Sequence, residues 1–418
     1  MTLKVFIRKE CKNRWERRAP LTPTAVEDLV NQGLDLFVER SSVRIFPDRA
    51  YAKAGAALRD DWADAQVVLG IKEPEVASIK EGQIHLAFSH TIKGQAYNMG
   101  LLRTFIDQGA TLIDYETMTD ERGKRLIAFG RFAGMAGAVD SFYVAGRKLL
   151  KKSKSSMLSQ IKQTHEYGSI KRLKASLEGL VPAPEDDIRV AIVGSGNVGR
   201  GCREVCRWLG LREVPAARVT AGTAPGGNWF TILTTADIVS AADGSPFDWK
   251  DYRAHGKNRY QSVFHRYLGS FNILLQTPYW EDKYPRQLTR EQLETHEDLL
   301  PMVIGDISCD IGGSLACTLK ETSIDEPAFT YRVRGHSPEP GISWAGPTIM
   351  AISHLPCELP LDASNHFSDI LVKYLPQVAR VDLGQPLESC GLSPELQRAV
   401  IVYKGRLMPA YARLKTFL

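Results

Sequence analysis

The sequence predicts an α/β protein built from two Rossmann-like, doubly wound parallel-sheet domains with a cleft between them. Short apolar runs rich in β-branched residues alternate with helical patterns from the first residues onward, and this alternation is typical of parallel sheets covered by helices. A second alternation surrounds a glycine-rich turn in the middle of the chain. At 418 residues the chain is long enough for two such domains.

The amino-terminal part supplies one complete set of strands and helices. Apolar runs bounded by turn residues predict the strands, and apolar residues at helical spacing predict the helices between them. The expected elements are strand 3–7, helix 24–31, strand 34–38, helix 48–53, strands 66–71 and 84–88, helix 95–108 and strand 110–114.

The glycine-rich turn follows a predicted strand, Arg189 to Val193, and precedes a helix expected over 200–209. Its glycines have the G-x-G-x-x-G spacing, which suits a tight turn, the approach of a pyrophosphate to the backbone, and close packing of helix on strand. The pyrophosphate would lie at the helix N-terminus. An ordinary glycine-rich turn is the alternative. The predicted dinucleotide-binding residues are Gly194, Ser195, Gly196, Asn197, Val198 and Gly199.

The rest of the second domain is expected to add strands near 218–220 and at 238–241, 271–276 and 302–307. The small-residue-rich segment Gly130 to Leu150 predicts a closely packed helix. From Leu375 onward we expect a helical return to the first domain. The expected domains are therefore residues 1–138, completed by 345–418, for the substrate, and residues 139–344 for the dinucleotide.

Composition excludes several classes of protein. A hydrophobic content of 44% and a charged content of 24% are ordinary for a globular chain, and a net charge of +5 is too small to indicate nucleic-acid binding. No apolar run approaches the ~20 residues of a membrane span, and the polar start runs into a strand without a signal pattern. The seven cysteines form no C-x-x-C pair, so neither disulfides nor a metal site is expected. A cytoplasmic protein is the expectation.

Two titratable side chains follow neighbouring predicted strands. Lys72 comes after strand 66–71, and His90 comes after strand 84–88. Ligands of open α/β sheets bind at the carboxyl ends of strands, and histidine, or a lysine close to other cations, can transfer protons near neutral pH. Taken singly, each would more often be a structural or solvated residue. Their pairing favours acid/base chemistry.

The segment after the first strand, residues 8–20, is rich in arginine. It is either a charged loop or an arginine clamp for carboxylates at the same sheet edge, with Arg125 and Arg131 as further candidates. A nucleic-acid patch ranks last, because Glu10 and Glu16 interrupt the basic residues.

Several motifs together point to a known family. They are Trp15-Glu16-Arg17-Arg18-Ala19-Pro20-Leu21, Phe88-Ser89-His90-Thr91-Ile92-Lys93, Asn98-Met99-Gly100-Leu101-Leu102, Leu112-Ile113-Asp114-Tyr115-Glu116, Gly194-Ser195-Gly196-Asn197-Val198, Asp306-Ile307-Ser308-Cys309-Asp310-Ile311-Gly312-Gly313-Ser314 and Gln385-Pro386-Leu387-Glu388-Ser389. With them, nearly the whole chain resembles the lysine-2-oxoglutarate reductase domain of the aminoadipic semialdehyde synthases, within the wider group of alanine and saccharopine dehydrogenases.

The resemblance implies a reductive condensation of L-lysine with 2-oxoglutarate to saccharopine, with a nicotinamide dinucleotide as hydride donor. Lys72 and His90 match the family's acid/base pair. The remaining implied site residues are Arg18 for a substrate carboxylate, Lys93 and Arg125 lining the substrate cleft, Glu73 and Glu116 beside the lysine and histidine, and Asp306, Ser308 and Asp310 on the nicotinamide side. The three carboxylates of saccharopine would suit several arginines.

Two positions depart from the family pattern. Asn13 stands where the yeast-type enzymes have a lysine, with Lys12 and Arg14 on either side. The strand expected near 218–220 carries no acid for the ribose hydroxyls of NAD, about 20 residues past the glycines. We therefore expect NADP(H), with NAD(H) as the alternative.

Other functions remain open at this stage. They are an opine-type dehydrogenase for a different amine or keto acid, an NAD-dependent oxidation of saccharopine to lysine, and a silent sensor that binds nicotinamide cofactor, against which the Lys72/His90 pair speaks. Because a bifunctional enzyme would need a second domain of comparable size, we expect a free-standing reductase or one domain of a longer protein. The oligomeric state does not follow from the sequence.

Overall fold

A computed structural model describes residues 2–183 and 185–418, which form two compact units. The first unit contains the residues up to Ala128 together with Pro360–Leu418, and the second contains Phe129–Leu359. Each unit is built on an eight-stranded, mainly parallel sheet. The predicted α/β fold with two Rossmann-like domains is confirmed, while the substrate and dinucleotide roles of the domains stay predictions.

The first unit begins with the alternation expected from the sequence, and the ends of the predicted elements differ by at most two residues from those observed. Sequence reasoning missed one short strand, β3. The elements are β1 (Val5–Ile7), α1 (Pro23–Asn31), β2 (Leu36–Glu39), α2 (Asp48–Lys53), β3 (Ala57–Arg59), β4 (Val67–Leu69), β5 (Ile84–Ala87), α3 (Ala96–Asp107) and β6 (Thr111–Asp114).

The second unit starts with a 21-residue helix and then surrounds the glycine-rich turn. Its elements are α4 (Gly130–Leu150), α5 (Ile170–Glu178), β7 (Arg189–Val193), α6 (Asn197–Trp208), β8 (Arg212–Glu213), α7 (Ala216–Thr220), β9 (Trp229–Leu233), α8 (Thr235–Ile238), β10 (Val239–Ala241), α9 (Trp249–His255), β11 (Tyr260–Ser262), β12 (Ile273–Gln276), α10 (Arg290–Thr295), β13 (Val303–Asp306), β14 (Phe329–Arg332), β15 (Ser337–Pro340) and β16 (Thr348–Met350).

The chain then returns to the first unit. The return begins at Pro360, and it is not purely helical as expected from Leu375 onward, because it ends in two strands that extend the first sheet. Its elements are α11 (Pro360–Leu371), α12 (Leu375–Val378), α13 (Pro394–Ala399), β17 (Val400–Tyr403) and β18 (Arg406–Leu407). The apolar run Val400–Tyr403, with three β-branched residues, was the sequence signal for a buried strand. All four residues are buried in the structure.

Strand order places the ends that matter at one edge of each sheet. The first sheet runs β18-β17-β6-β5-β4-β1-β2-β3, and its first six strands in chain order are all parallel. The second runs β15-β14-β16-β13-β12-β7-β9-β8, parallel from β16 to β8. Parallel strands bring their carboxyl ends to one edge, where side chains from distant parts of the sequence meet.

The strand expected near 218–220 is wrong: residues 216–220 form α7, which follows Pro215. Alanine and arginine are good helix formers, and a proline at a helix start does not remove a needed hydrogen bond. The strand beside β7 is instead β9, Trp229–Leu233, and β8 lies outside it.

Helices α4 and α6 approach each other through glycine. A Cβ on Gly134 would overlap with the carbonyl oxygen of Val198, and one on Gly201 would overlap with that of Arg131. Only glycine permits backbones so close. The closely packed helix predicted over Gly130 to Leu150 is thereby confirmed. None of the helices in the described ranges has the length and hydropathy of a bilayer span.

Candidate active site

Lys72 and His90 lie at the carboxyl ends of neighbouring parallel strands in the first unit. Strands β4 and β5 pair in register with Leu69 opposite Leu86, and the pairing continues as Phe88 N donates to Ile71 O at 2.9 Å. Both strands then end, and Lys72 and His90 follow them, each partly exposed. The placement expected from the sequence, at one edge of one sheet, is present.

His90 is held in an unusual backbone conformation by a carboxylate. Its φ of 56° and ψ of 8° lie in the left-handed region, which non-glycine residues rarely occupy. Its Nδ1 lies 3.2 Å from Glu116 Oε2, so the carboxylate can accept a hydrogen bond from Nδ1–H. Nε2 is then the ring nitrogen that can exchange a proton with a substrate. Burial favours a higher pKa for Glu116, but the hydrogen bond from His90 and the charges of His90, Arg125 and Lys93 hold that pKa below its usual range.

A buried carboxylate, Asp114, the last residue of β6, binds the backbone of Glu116 and of Ser89, the residue before His90. Asp114 Oδ2 accepts hydrogen bonds from the backbone N–H and the hydroxyl of Ser89, and Oδ1 accepts one from Glu116 N at 2.7 Å. Burial raises the pKa of Asp114 to about 6, although these hydrogen bonds act in the opposite direction. The residue thus connects the segment before His90 with the segment that carries its carboxylate partner.

Glu73 follows Lys72 and pairs with the amino-terminal loop. Lys12 Nζ donates to Glu73 Oε1, whereas Glu73 Oε2 is buried and has no hydrogen-bond partner among the residues that the structure describes. Burial opposes ionisation of Glu73, but Lys12, a backbone hydrogen bond and the charge of His90 lower its pKa below the ordinary value. Asn13 instead accepts a hydrogen bond from Trp15 N within its own turn. Lys12 therefore supplies the cation at this carboxylate.

The arginine clamp stays a prediction, and each of its candidate arginines has an acidic partner. Arg18 is buried and donates to Glu16 through Nε at 2.7 Å and Nη2 at 2.6 Å. Arg125 Nη1 lies 3.7 Å from Glu116 Oε1 and is half-exposed. Arg131 belongs to the second unit, where it makes a bidentate pair with Glu204 of α6. Lys93 is exposed, and its charge acts on Glu116.

The glycine-rich turn has the geometry of a phosphate-binding loop. Gly194 has a φ of 94°, and a Cβ there would overlap with Thr277 Oγ1. A Cβ on Gly199 would overlap with the carbonyl oxygen of Gly194, whereas the space around Gly196 is open. Residues 195–197 are exposed at the start of the twelve-residue helix α6. Open space beside a helix N-terminus can admit an anion to backbone N–H groups, which fits the pyrophosphate of a dinucleotide.

Asp306 is the last residue of β13, two strands from β7, and Ser308 and Asp310 follow it. Asp306 is buried and accepts hydrogen bonds from the hydroxyls of Ser308 and Thr318 at 2.6 and 2.7 Å. Burial raises its pKa. Asp310 Oδ2 accepts from Trp280 N at 3.3 Å. Asp306 therefore shapes this loop from within, and a contact of the loop with cofactor stays a prediction.

Sequence reasoning missed the residues that follow β9 and β12. Thr277 Oγ1 donates to the carbonyl oxygen of Val193 at 2.5 Å and so fastens the glycine-rich turn. A cavity of about 180 Å³ lies beside the ends of the two strands, lined by the side chains of Thr235, Val239, Trp249, Tyr252, Pro278 and Trp280, among others. The dipeptide Thr277-Pro278 directly after a predicted strand was the available signal.

The correct neighbour of β7 also changes the reasoning on the ribose. After β9 come Thr234 and Thr235, and the nearest acid is Asp237, whose carboxylate accepts hydrogen bonds from the N–H and hydroxyl of Thr234 at 2.7 and 2.6 Å. No acidic residue ends β9 itself, but the Asp237 carboxylate lies against Thr234, the first residue after the strand. The sequence predicted a strand end without an acidic residue, but that strand was placed near 218–220 and not at β9.

Residues 6–136 match the family described as alanine dehydrogenase/PNT, N-terminal domain. This stretch is a domain of that family. Nearly the whole chain is also similar to curated proteins, with 97% of it matching alpha-aminoadipic semialdehyde synthase from Arabidopsis thaliana at 33% identity and the mitochondrial synthase from Rattus norvegicus at 30%. The matched region is 41% and 47% of these two proteins, so the chain spans less than half of their length.

Saccharopine dehydrogenase [NAD(+), L-lysine-forming] from Neurospora crassa is 28% identical over 89% of this chain and 90% of its own length. Among solved structures, an L-alanine dehydrogenase superimposes with a TM-score of 0.65 at 18% identity, covering 99% of both chains. A transhydrogenase from Sinorhizobium meliloti gives a TM-score of 0.55 at 17% identity, covering 97% of this chain and 99% of its own. The resemblance read from the motifs is confirmed, and the solved structures support the alanine-dehydrogenase fold.

Proposed function

We propose that this chain catalyses the NADPH-dependent reductive condensation of L-lysine with 2-oxoglutarate to saccharopine. The observation that carries the proposal is the pair of neighbouring strand ends in the first unit, where Lys72 and His90 follow β4 and β5 and His90 Nδ1 lies 3.2 Å from the Glu116 carboxylate. The relatives named as aminoadipic semialdehyde synthases and saccharopine dehydrogenases support the same substrate class.

The condensation needs several proton transfers. The side-chain amine of lysine adds to the keto carbon, the carbinolamine loses water to give an imine, and reduction gives a secondary amine. We assign the proton transfers at nitrogen and oxygen to Lys72 and His90. Glu116 accepts a hydrogen bond from Nδ1–H of His90 and so orients the ring, and Nε2 then exchanges protons with the substrate.

The two carboxylates and the cations have different roles in the proposal. Glu73 Oε2, buried and without a partner among the described residues, is suited to accept a hydrogen bond from a substrate ammonium group. Arg18, Arg125 and Lys93 would attract the carboxylates of 2-oxoglutarate and lysine.

The bound dinucleotide would supply a hydride to the imine carbon. Gly194 to Gly199 would hold its pyrophosphate, and Thr234, whose hydroxyl donates to the Asp237 carboxylate, would face its ribose. We propose NADP(H) as the cofactor because no acidic residue ends β9 itself, and NAD(H) is the alternative in which the Asp237 carboxylate contacts the ribose. The acid/base residues belong to the first unit and the glycine-rich turn to the second.

A second candidate is the NAD-dependent oxidation of saccharopine to lysine, which the name of the Neurospora crassa relative favours. It would use the same residues in the reverse direction. An opine-type dehydrogenase with another amine or keto acid is the third candidate.

The deciding experiment follows absorbance at 340 nm with 2-oxoglutarate, L-lysine and either NADPH or NADH. Lysine-dependent oxidation of NADPH supports the proposal, and a preference for NADH would overturn the cofactor assignment. Lys72→Met and His90→Gln should each abolish turnover while NADPH binding, read by fluorescence, is retained. Activity with other amines or keto acids but not with lysine and 2-oxoglutarate would reject the substrates and keep the chemistry.

A further inference from the structure

Arg8 and Glu10, two buried residues just after β1, hold both polar backbone groups of Lys72. We propose that they are positioning residues, which fix the Lys72 side chain for proton transfer. This inference rests on the proposed function, because it takes Lys72 as one of the two acid/base groups. Neither residue belongs to the set that the sequence motifs assign to the site.

The contacts form a closed set around the Lys72 peptide groups. Glu10 Oε1 accepts from Ile71 N at 2.6 Å, and Oε2 accepts from Lys72 N at 3.1 Å. Arg8 Nη2 donates to the carbonyl oxygen of Lys72. Arg8 Nη1 lies 3.4 Å from Glu10 Oε2, and the two side chains are only 4% and 3% exposed. Arg8 Nη1 also donates to the carbonyl oxygen of Lys9 at 3.1 Å. The buried ion pair thus binds the backbone of residues 71 and 72 while its own segment is held by the Lys9 carbonyl.

The sequence leaves room for this arrangement at Gly70. A Cβ on Gly70 would overlap with the Nε, Cζ and Nη2 atoms of Arg8. Gly70 does not have a positive φ, so its backbone conformation is open to alanine. The glycine is therefore explained by the arginine that crosses it.

The arrangement restricts Lys72 more than an ordinary loop would. A residue that follows the last strand pairing would otherwise have its backbone N–H and C=O exposed to solvent, and its side chain would move with them. Here both groups are bound to charged partners in a buried site, where such hydrogen bonds are strong. With the backbone of Lys72 fixed in this way, the position of Nζ depends on the side-chain torsions alone, which favours a defined position of Nζ beside the carbonyl carbon of a substrate.

Gly70→Ala is the sharpest test, because the new methyl group displaces Arg8 and leaves every charged residue in the sequence. Arg8→Lys, which keeps the charge but removes the guanidinium fork, and Glu10→Gln complete the set. Gly100→Ala is the matched control, since Gly100 is exposed on α3 and a Cβ there meets no atom within 4 Å. The measurements are kcat, KM for both substrates, the Kd of NADPH, thermal unfolding, and the pH dependence of Lys72 acetylation by acetic anhydride, read by peptide mass spectrometry.

We expect Gly70→Ala to lower kcat by about tenfold or more, with KM for 2-oxoglutarate and the Kd of NADPH changed less than threefold, and to shift the pH profile of Lys72 acetylation. Gly100→Ala should match the wild type. Wild-type kcat and an unchanged acetylation profile in a folded Gly70→Ala protein would overturn the inference. If the wild-type chain itself gives no lysine-dependent oxidation, the proposed function fails. The acetylation profiles then still decide whether Arg8 controls Lys72: identical profiles contradict it, and a shift upholds it.

Discussion

Asp140 on α4 and Glu358, just before the chain returns to the first unit, form a buried carboxyl pair. Thr164 donates to Asp140 Oδ1 through its N–H at 2.9 Å and its hydroxyl at 3.0 Å, and His165 N donates to Glu358 Oε2 at 3.3 Å. Asp140 Oδ2 and Glu358 Oε1 have no other donor among the described residues. The two side chains are close enough to hydrogen bond to each other, so the pair is satisfied when it holds one proton.

The pair predicts a loss of stability as pH rises. Burial raises the pKa of Glu358 from 4.5 to about 7, although its hydrogen bonds to Asp140 and to His165 N act in the opposite direction. Burial and the charge of Glu358 raise the pKa of Asp140 well above its ordinary value. A folded-state pKa above the unfolded one favours the folded state below the unfolded pKa, and this contribution disappears as pH rises through the folded pKa. At about 1.4 kcal/mol per unit, the shift of Glu358 corresponds to about 3 kcal/mol, lost between pH 4.5 and about 7.

Glu358→Gln removes the charge and supplies the missing donor, because its amide N–H can donate to Asp140 while its oxygen still accepts from His165. We expect the variant to be less stable than, or equal to, the wild type at pH 5 and more stable by about 2 to 3 kcal/mol at pH 8. Urea unfolding at pH 5, 6, 7 and 8, followed by circular dichroism and tryptophan fluorescence, measures this difference. Glu326→Gln, at an exposed glutamate of the same unit, is the control. Parallel stability curves for Glu358→Gln and the wild type would refute the shared proton.

Three further changes test other parts of the molecule. Gly134→Ala places a methyl group on the carbonyl oxygen of Val198. The free energy of unfolding should fall by about 1–3 kcal/mol and NADPH binding should weaken. Unchanged NADPH binding would show that the packing of α4 on α6 does not affect the glycine-rich turn. Glu116→Gln deprives His90 of its charged acceptor and should lower kcat by about 10- to 100-fold with the Kd of NADPH unchanged; wild-type kcat would contradict the role of Glu116. Lys148→Met leaves two partly buried carbonyl oxygens and the buried Thr348 hydroxyl without their donor, and a loss of about 2–4 kcal/mol in urea unfolding is expected. A change within error would show that water replaces the ammonium group.

The candidate site is formed by side chains that follow adjacent parallel strands. Lys72, His90 and Glu116 follow β4, β5 and β6, three adjacent strands, so each reaches the same edge without any long-range sequence signal. Buried carboxylates hold the backbone of these segments. Asp114 binds the backbone around His90 and Glu116, and Glu10 binds the backbone around Lys72. The reactive side chains are therefore partly exposed while the groups that hold them are buried.

The sequence by itself determined the features that depend on near neighbours in the chain. The strand Arg189–Val193 and the helix Gly130–Leu150 follow from local composition and period, and their bounds are those predicted. The positive φ of Gly194 follows from the turn that a strand and a helix require between them. The placement of Lys72 and His90 after adjacent strands also follows, because β-α-β alternation fixes parallel order over short distances.

Only the tertiary structure decided which distant groups meet. The strand beside β7 is β9, because the residues expected to form that strand had a stronger local preference for a helix after Pro215. Glu10 reaches an amide 61 residues away, and Asp140 faces a carboxyl group more than 200 residues away. No local pattern predicts such pairs. A charged side chain needs a partner because it is buried, and its burial depends on the whole fold. The candidate acid/base residues were predicted from the sequence, whereas the buried groups that contact their backbone were found only in the structure.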